Sequence, residues 1–445
     1  MTDLKQTAVM GEATGGGTMT RRQSVFIGVG AMVGAGIFAL LGEAGTIAQS
    51  AVWISFFLAG IVAALQGYSF AYLGKKHASD SGMMGYIAAG YGQTSRVTSV
   101  FSWMVWATIT IVVAMVAVSF GSYAAAVLTG GDMPTTLVKI CASLVVVGVT
   151  ALNALGGSGT VAKAQSYIVR IVIIVLLGLS AVTMATADWS KLAPATYPSF
   201  GTIIGSVALT FFAFLGFGII SFTSKDLKNK NDLGPATYIA LAVATLLYVA
   251  IALGVFGQLT PQQVADAGPT AIALAAKPVL GTAGYWIVGI VAILSTAGAA
   301  NANIYATPGL LGALARDKIL PPALGQKKGR IQLGLLLTCM VILLFVWALN
   351  LSAIASLGSA VALSIFLAIS IGHIRIRKET GVRLSVLLLA IFTVVVTLLG
   401  FFANTAKSNP ASLVAFGLLF VFALVADVVW RSVRNRQMAA RGAEI

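Results

Sequence analysis

Charge is scarce in this sequence. Only 9% of its 445 residues are Asp, Glu, Lys or Arg, against roughly 25% in a soluble domain, so the chain cannot cover a water-facing surface. Histidine occurs twice, at His77 and His373, and both fall at the ends of apolar runs, where they read as surface groups. The acids Glu43 and Asp427 lie far apart in the chain. A membrane-embedded enzyme needs paired acids, metal ligands or an activated nucleophile, so no catalytic residue and no metal site is expected, and no cofactor beyond a coupling ion. The two cysteines, Cys141 and Cys339, each sit about seven residues inside their own run, entered from opposite sides. At roughly 1.5 Å per residue they fall near opposite leaflets, which argues against a disulfide. The first 23 residues lack the apolar core of a signal peptide. Polar and rich in Gly and Thr, residues 1–23 read as a disordered tail.

What the sequence has in abundance is apolar length: 58% hydrophobic residues and a mean hydropathy of +0.95. Runs of roughly 20 apolar residues, enough to cross a bilayer, occur near 24–48, 51–73, 98–128, 135–155, 164–187, 202–224, 233–257, 281–315, 332–349, 353–374, 384–403 and 411–430. The expected fold is an all-α membrane protein of about twelve transmembrane helices. The net charge of +15 invites a nucleic-acid reading, but the basic residues sit in short loops and give an orientation signal instead. One side carries Lys5, Arg21, Arg22, Lys75, Lys76, Arg96, Lys163, the 225–230 and 316–330 clusters, Arg375–Arg383 and Arg431–Arg441; the other carries Lys139, Lys191, Lys277 and Lys407. Both termini are therefore expected in the cytoplasm. The expected partners are the lipid bilayer and a small molecule, with no nucleic acid and a monomer or homodimer as the assembly.

Two glycine clusters stand out. The first span reads Gly28-Val-Gly-Ala-Met-Val-Gly-Ala-Gly-Ile-Phe38, and the sixth reads Phe211-Phe-Ala-Phe-Leu-Gly-Phe-Gly218. Glycine eases helix unwinding, and unwound backbone survives at membrane depth only where it lines a cavity or is buried in protein. Five spans apart, the clusters start from opposite faces, so any repeat relating them is inverted. Paired Gly-interrupted spans in two halves point to a transporter site; glycine-lined packing faces are the alternative. Unwinding at Gly34, Ala35 and Gly36 exposes N–H groups from Ile37 onward, which attract a carboxylate. Carbonyls freed near Phe214 and Leu215 can accept from an ammonium. A zwitterion satisfies both ends, with Phe212, Phe214 and Phe217 as apolar walls.

These residues carry a family resemblance. Gly30-Ala-Met-Val-Gly-Ala-Gly-Ile-Phe38 is similar to the first-helix G-x-x-x-G-x-G-I-F of the amino acid–polyamine–organocation (APC) superfamily, whose members have the leucine-transporter fold. Phe212-Ala-Phe-Leu-Gly-Phe217 resembles its sixth-helix F-x-[FY]-x-G-[FWY], and Lys225-Asp-Leu-Lys-Asn229 the segment that follows. Ser295-Thr-Ala-Gly-Ala-Ala-Asn-Ala-Asn303, with Ala315-Arg-Asp-Lys-Ile-Leu-Pro321, is similar to the eighth-helix pattern. The resemblance implies a 5+5 inverted repeat (24–187 and 202–374), two extra helices (384–430), a cytoplasmic tail (431–445), broken helices 1 and 6, and alternating access. It places the substrate on Met32, Gly34, Ala35, Gly36, Ile37, Phe212, Phe214, Gly216, Phe217 and Gly218, with Phe212 closing the outer gate.

The departures matter. Gly218 stands where relatives carrying cationic substrates often have an acid, which argues against arginine, lysine or polyamines. Ile37 replaces the polar residue of sodium-coupled relatives, and an isoleucine side chain cannot ligate a cation. A second ion site would draw on Gly30, Val33, Ser295 and Thr296, unless those hydroxyls bond their own helix. The fifth-helix lysine of some proton-linked relatives matches a position near Val172; Arg170 reaches it only if the alignment slips. Glu43 is either a proton carrier or a mouth residue, and Thr260–Asp266 a lid or a plain connector. The expected function is secondary transport of a small or medium neutral amino acid across a bacterial cytoplasmic membrane, by symport (Na+ or H+) or exchange. The alternatives are carriage of a related amine or carboxylate, or a transporter-like sensor.

Overall fold

The computed structural model describes residues 19–77, 82–155, 158–221, 226–328, 331–408 and 410–442. Most of the expected N-terminal tail, Lys225 and the side chains of Ala35 and Lys163 fall outside the described residues. The first span is α1 (Arg21–Ala35) and α2 (Ile37–Ala48), followed by α3 (Val52–Lys76), a short α4 (Met83–Tyr91), α5 (Arg96–Thr129), α6 (Thr135–Ala154) and α7 (Ser158–Ala185). The sixth span is α8 (Phe200–Phe212) and α9 (Phe217–Ile220). Then come α10 (Leu233–Gln258), α11 (Pro261–Ala267), α12 (Ala271–Arg316), α13 (Pro322–Gly325), α14 (Leu333–Ala348), α15 (Leu351–Arg375), α16 (Arg377–Thr380), α17 (Leu384–Ser408) and α18 (Pro410–Gly442). Among the described residues, ten helical segments are long and apolar enough to cross a membrane. The divided first span and the 16-residue α14 bring the set to twelve.

Local chemistry sets the ends. Thr20 and Gln23 form a reciprocal capping box, so α1 begins at Arg21 rather than at residue 24. Thr260 and Gln263 do the same for α11, with Pro261 at its first position. Gly281, at φ 65°, turns the chain inside α12 and separates a largely buried piece, 271–280, from the eighth span. The last helix does not stop at residue 430 but runs on to Gly442. Arg431 anchors that extension: it meets Asp427 at 2.8 Å and donates to the carbonyls of Thr94 and Ser95.

The packing is reciprocal. The second span lies against the seventh, and the third against the eighth. Contacts between spans three and ten recur between eight and five, and those between two and six recur between seven and one. That exchange, n for n plus five, is the signature of two inverted five-helix repeats. The most apolar stretch of the sixth span is 83% buried, against 17% for the twelfth, so six is central and twelve faces lipid. Between the centre and the terminal face runs a polar seam. His373, expected at the surface, is instead buried between Ser69 and Thr380, each at 3.0 Å. One turn away, Gln66 accepts from Ser370 and donates to the carbonyl of Ala390. The expectation failed because loop proximity places a residue near the end of a span, whereas neighbouring helices decide its burial.

Candidate functional site

The first span kinks at Gly36, between the end of α1 at Ala35 and the start of α2 at Ile37, without losing its i to i−4 bonding there. Gly36, at ψ −78°, joins the halves through its N–H to the Met32 carbonyl (2.7 Å) and its carbonyl to the Leu40 N–H (2.9 Å). In the sixth span the change is longer. From Ala213 to Ile219 the bonds are i to i−3, a tightened stretch between α8 and α9. The carbonyl of Ala213 accepts from the Tyr248 hydroxyl at 3.2 Å instead.

The two interruptions touch. A Cβ on Gly36 would stand 2.6 Å from both the Ala213 carbonyl oxygen and the Tyr248 hydroxyl. A Cβ on Gly216 would stand 2.5 Å from the carbonyl carbon of Ala31 and press on the amide nitrogen of Met32. Glycine is therefore required at both points because backbone crosses backbone. Gly34 meets the eighth span the same way, at the carbonyl of Ser295 and the Cβ of Ala299.

A cavity of about 40 Å³ lies beside this crossing, on the side of Phe212 that faces the termini. Phe212 forms one end, packed against Gly358 and Ile111; Ala31, Leu215, Gly216 and Ile219 form the wall from the interrupted spans, and Met83 reaches in from α4. The space holds about three water molecules, less than any amino acid. Among the described residues, no charged side chain lines it.

Of the expected substrate residues, Phe212 and Gly216 reach this cavity. Met32, Gly36 and Ile37 are buried at the kink, and Ala35 ends α1. Phe214 turns to Tyr248, with ring centroids 5.1 Å apart. Phe217 joins Phe70 and Phe366 at 5.1 and 5.3 Å, and Gly218 faces Met83. Gly30, Val33 and Ser295 do meet, around a smaller void closed by Val169, Val172 and Ile173. Thr296 is not part of it: its hydroxyl donates to the Ala292 carbonyl of its own helix. Nor is Arg170, which is exposed and lies over the rings of Phe26 and Tyr167 at 5.5 and 5.3 Å. Glu43 sits two turns beyond the kink beside Ser352, and α11 lies across α2. Sequence reasoning missed Tyr248, Thr108 and Asn303. Asn303 stood inside a quoted motif, but nothing in one sequence separates it from Asn301.

The comparisons agree with this architecture. The amino acid permease family model matches residues 20–426. The chain is 31% identical to the inner membrane transport protein YbaT of Escherichia coli, over 92% of this chain and 95% of that one. It is 27% identical to a methylthioribose transporter of Bacillus subtilis over 81% of each chain, and 25% identical to the branched-chain amino acid permease BcaP of the same organism over 67% of each. Among solved structures, a mutant manganese transporter of Eremococcus coleocola superposes with a TM-score of 0.61 at 13% identity, covering 94% of both chains, which bears on the fold alone. On sequence and fold together, the chain belongs to the amino acid permease family of the APC superfamily and is a multi-pass membrane transporter, not an enzyme.

Proposed function

We propose that this protein is a secondary carrier of a small or medium neutral amino acid, working by alternating access in the cytoplasmic membrane with both termini inside. The observation that carries the reading is the crossing itself. The kink at Gly36 sets the first span's backbone against the Ala213 carbonyl, an acceptor suited to an ammonium, and the adjoining cavity offers no charged side chain among the described residues to match a charged substrate side chain. In the sequence, the connecting segments that share a side with the termini by span order carry most of the Lys and Arg residues, leaving Lys139, Lys191, Lys277 and Lys407 for the other side, a bias that supports this orientation.

The void at Gly30, Val33 and Ser295 makes a poor sodium site. A hard cation takes several oxygen ligands, whereas its remaining walls, Ile168, Val169, Val172 and Ile173, are aliphatic. The reading therefore favours proton coupling or exchange. The test is counterflow in proteoliposomes loaded with unlabelled amino acids, with choline replacing sodium and at two pH values. Accumulation of a labelled neutral amino acid that survives sodium removal is the expected result. No accumulation of any amino acid under any gradient overturns the carrier reading.

A further inference from the structure

Two polar side chains line the cavity, Thr108 and Asn303, among otherwise apolar walls. Each has committed a donor to its own helix. The Thr108 hydroxyl donates to the Met104 carbonyl at 2.9 Å, and the Asn303 amide to the Ala299 carbonyl at 2.9 Å. That bond orients the amide and leaves its Oδ1 without a protein partner among the described residues, on a side chain that lines the cavity. An acceptor oxygen open to a small, otherwise apolar cavity is met by water when the cavity is empty of ligand, and a donor on a ligand that displaces the water completes the same bond. Asn301, two residues earlier, is different: it accepts from Asn153 of α6 at 2.9 Å and holds helices together.

We propose that Asn303 reads the side chain of the transported amino acid, and that this side chain is short and carries a hydrogen-bond donor, a hydroxyl or a carboxamide. The proposal rests on the carrier reading and narrows it. Both polar groups of the wall offer acceptor oxygens, so a donor on the substrate gains a partner, while an apolar isostere leaves the Asn303 oxygen buried and unpaired. A site built to bond such a group discriminates against the analogue that lacks it. Leu215, Ile219 and Met83 limit the length that fits.

The experiment compares uptake of isosteric pairs, threonine against valine and asparagine against leucine, by the full chain in proteoliposomes. The wild type is expected to favour the donor-bearing member by roughly three- to tenfold, the range of one neutral hydrogen bond. Asn303→Leu is expected to bring the ratio to about one while valine uptake persists; Asn303→Ser, with a shorter acceptor, keeps part of it; Asn301→Leu keeps the ratio whatever it does to the amount of folded protein. Transport without discrimination in the wild type overturns this inference and leaves the carrier reading standing. An equal fall for every amino acid in both Asn303 variants overturns it in favour of an ammonium contact. A wild type that transports no amino acid removes the carrier reading itself.

Discussion

Gly216 and Gly218 belong to one motif and are alike in the sequence, yet the structure separates them. A Cβ at 216 would lie 2.5 Å from the Ala31 carbonyl carbon and 2.8 Å from the Met32 Cα, both backbone. Ordinary contact begins at 3.4 Å, so α1 and the sixth span would have to part by about 0.6–0.9 Å. Overpacking of this kind costs roughly 1–3 kcal/mol. Where the crossing must hold for transport, about 1.4 kcal/mol is already tenfold. At 218 the added methyl meets the Met83 sulfur at 3.3 Å and its terminal carbon at 3.4 Å, on a side chain with three rotatable bonds that can step aside. Gly218→Ala also gains helix propensity of about 1 kcal/mol. Uptake in proteoliposomes and thermal melting in detergent are the assays. Gly216→Ala is expected to lose at least tenfold in transport and to melt earlier, with Gly218→Ala within twofold of wild type and melting no earlier. Equal damage in the two variants, or a fully active Gly216→Ala, refutes the backbone crossing as the reason for the glycine.

Three further outcomes follow from the same geometry. Arg431→Ala strands Asp427, which is 3% exposed; losing one partner of a buried pair costs about 3–5 kcal/mol, so the variant melts well below wild type, while Asp427→Asn costs less. Tyr248→Phe removes the bond to the Ala213 carbonyl and is expected to weaken substrate binding by a few-fold, read as KM, since one buried acceptor is left unpaired. Ser295→Ala is expected to leave both stability and the sodium response unchanged, because its hydroxyl has no partner among the described residues and faces an aliphatic void. A sodium requirement that disappears in Ser295→Ala would assign an ion to that void.

The membrane class, the spans and the two interrupted helices were legible in one dimension. Apolar length is a local property, and a bilayer demands it of every crossing segment. The glycines were visible too, because no other residue allows backbone to meet backbone so closely. What the sequence left open was which partner each glycine meets, and how far the interruptions extend: a single residue at Gly36, and an i to i−3 stretch from Ala213 to Ile219. Thr296 and Arg170 show the limit. Alignment placed Thr296 at the ion site, and Arg170 there only if it slipped, yet the hydroxyl bonds its own helix and the guanidinium lies over the rings of Phe26 and Tyr167. The sequence by itself determined that the chain spans a membrane many times, that its two halves run in opposite senses, and that spans one and six yield near their middles, since each follows from hydropathy, chain direction and glycine along the chain. Only the tertiary structure decided that the cavity lies beyond Phe212 towards the termini, that His373 is buried, and that Asn303 rather than Asn301 faces the open space. Those facts depend on the angle at which separate helices meet, and helix rotation is set by the packing of all twelve together.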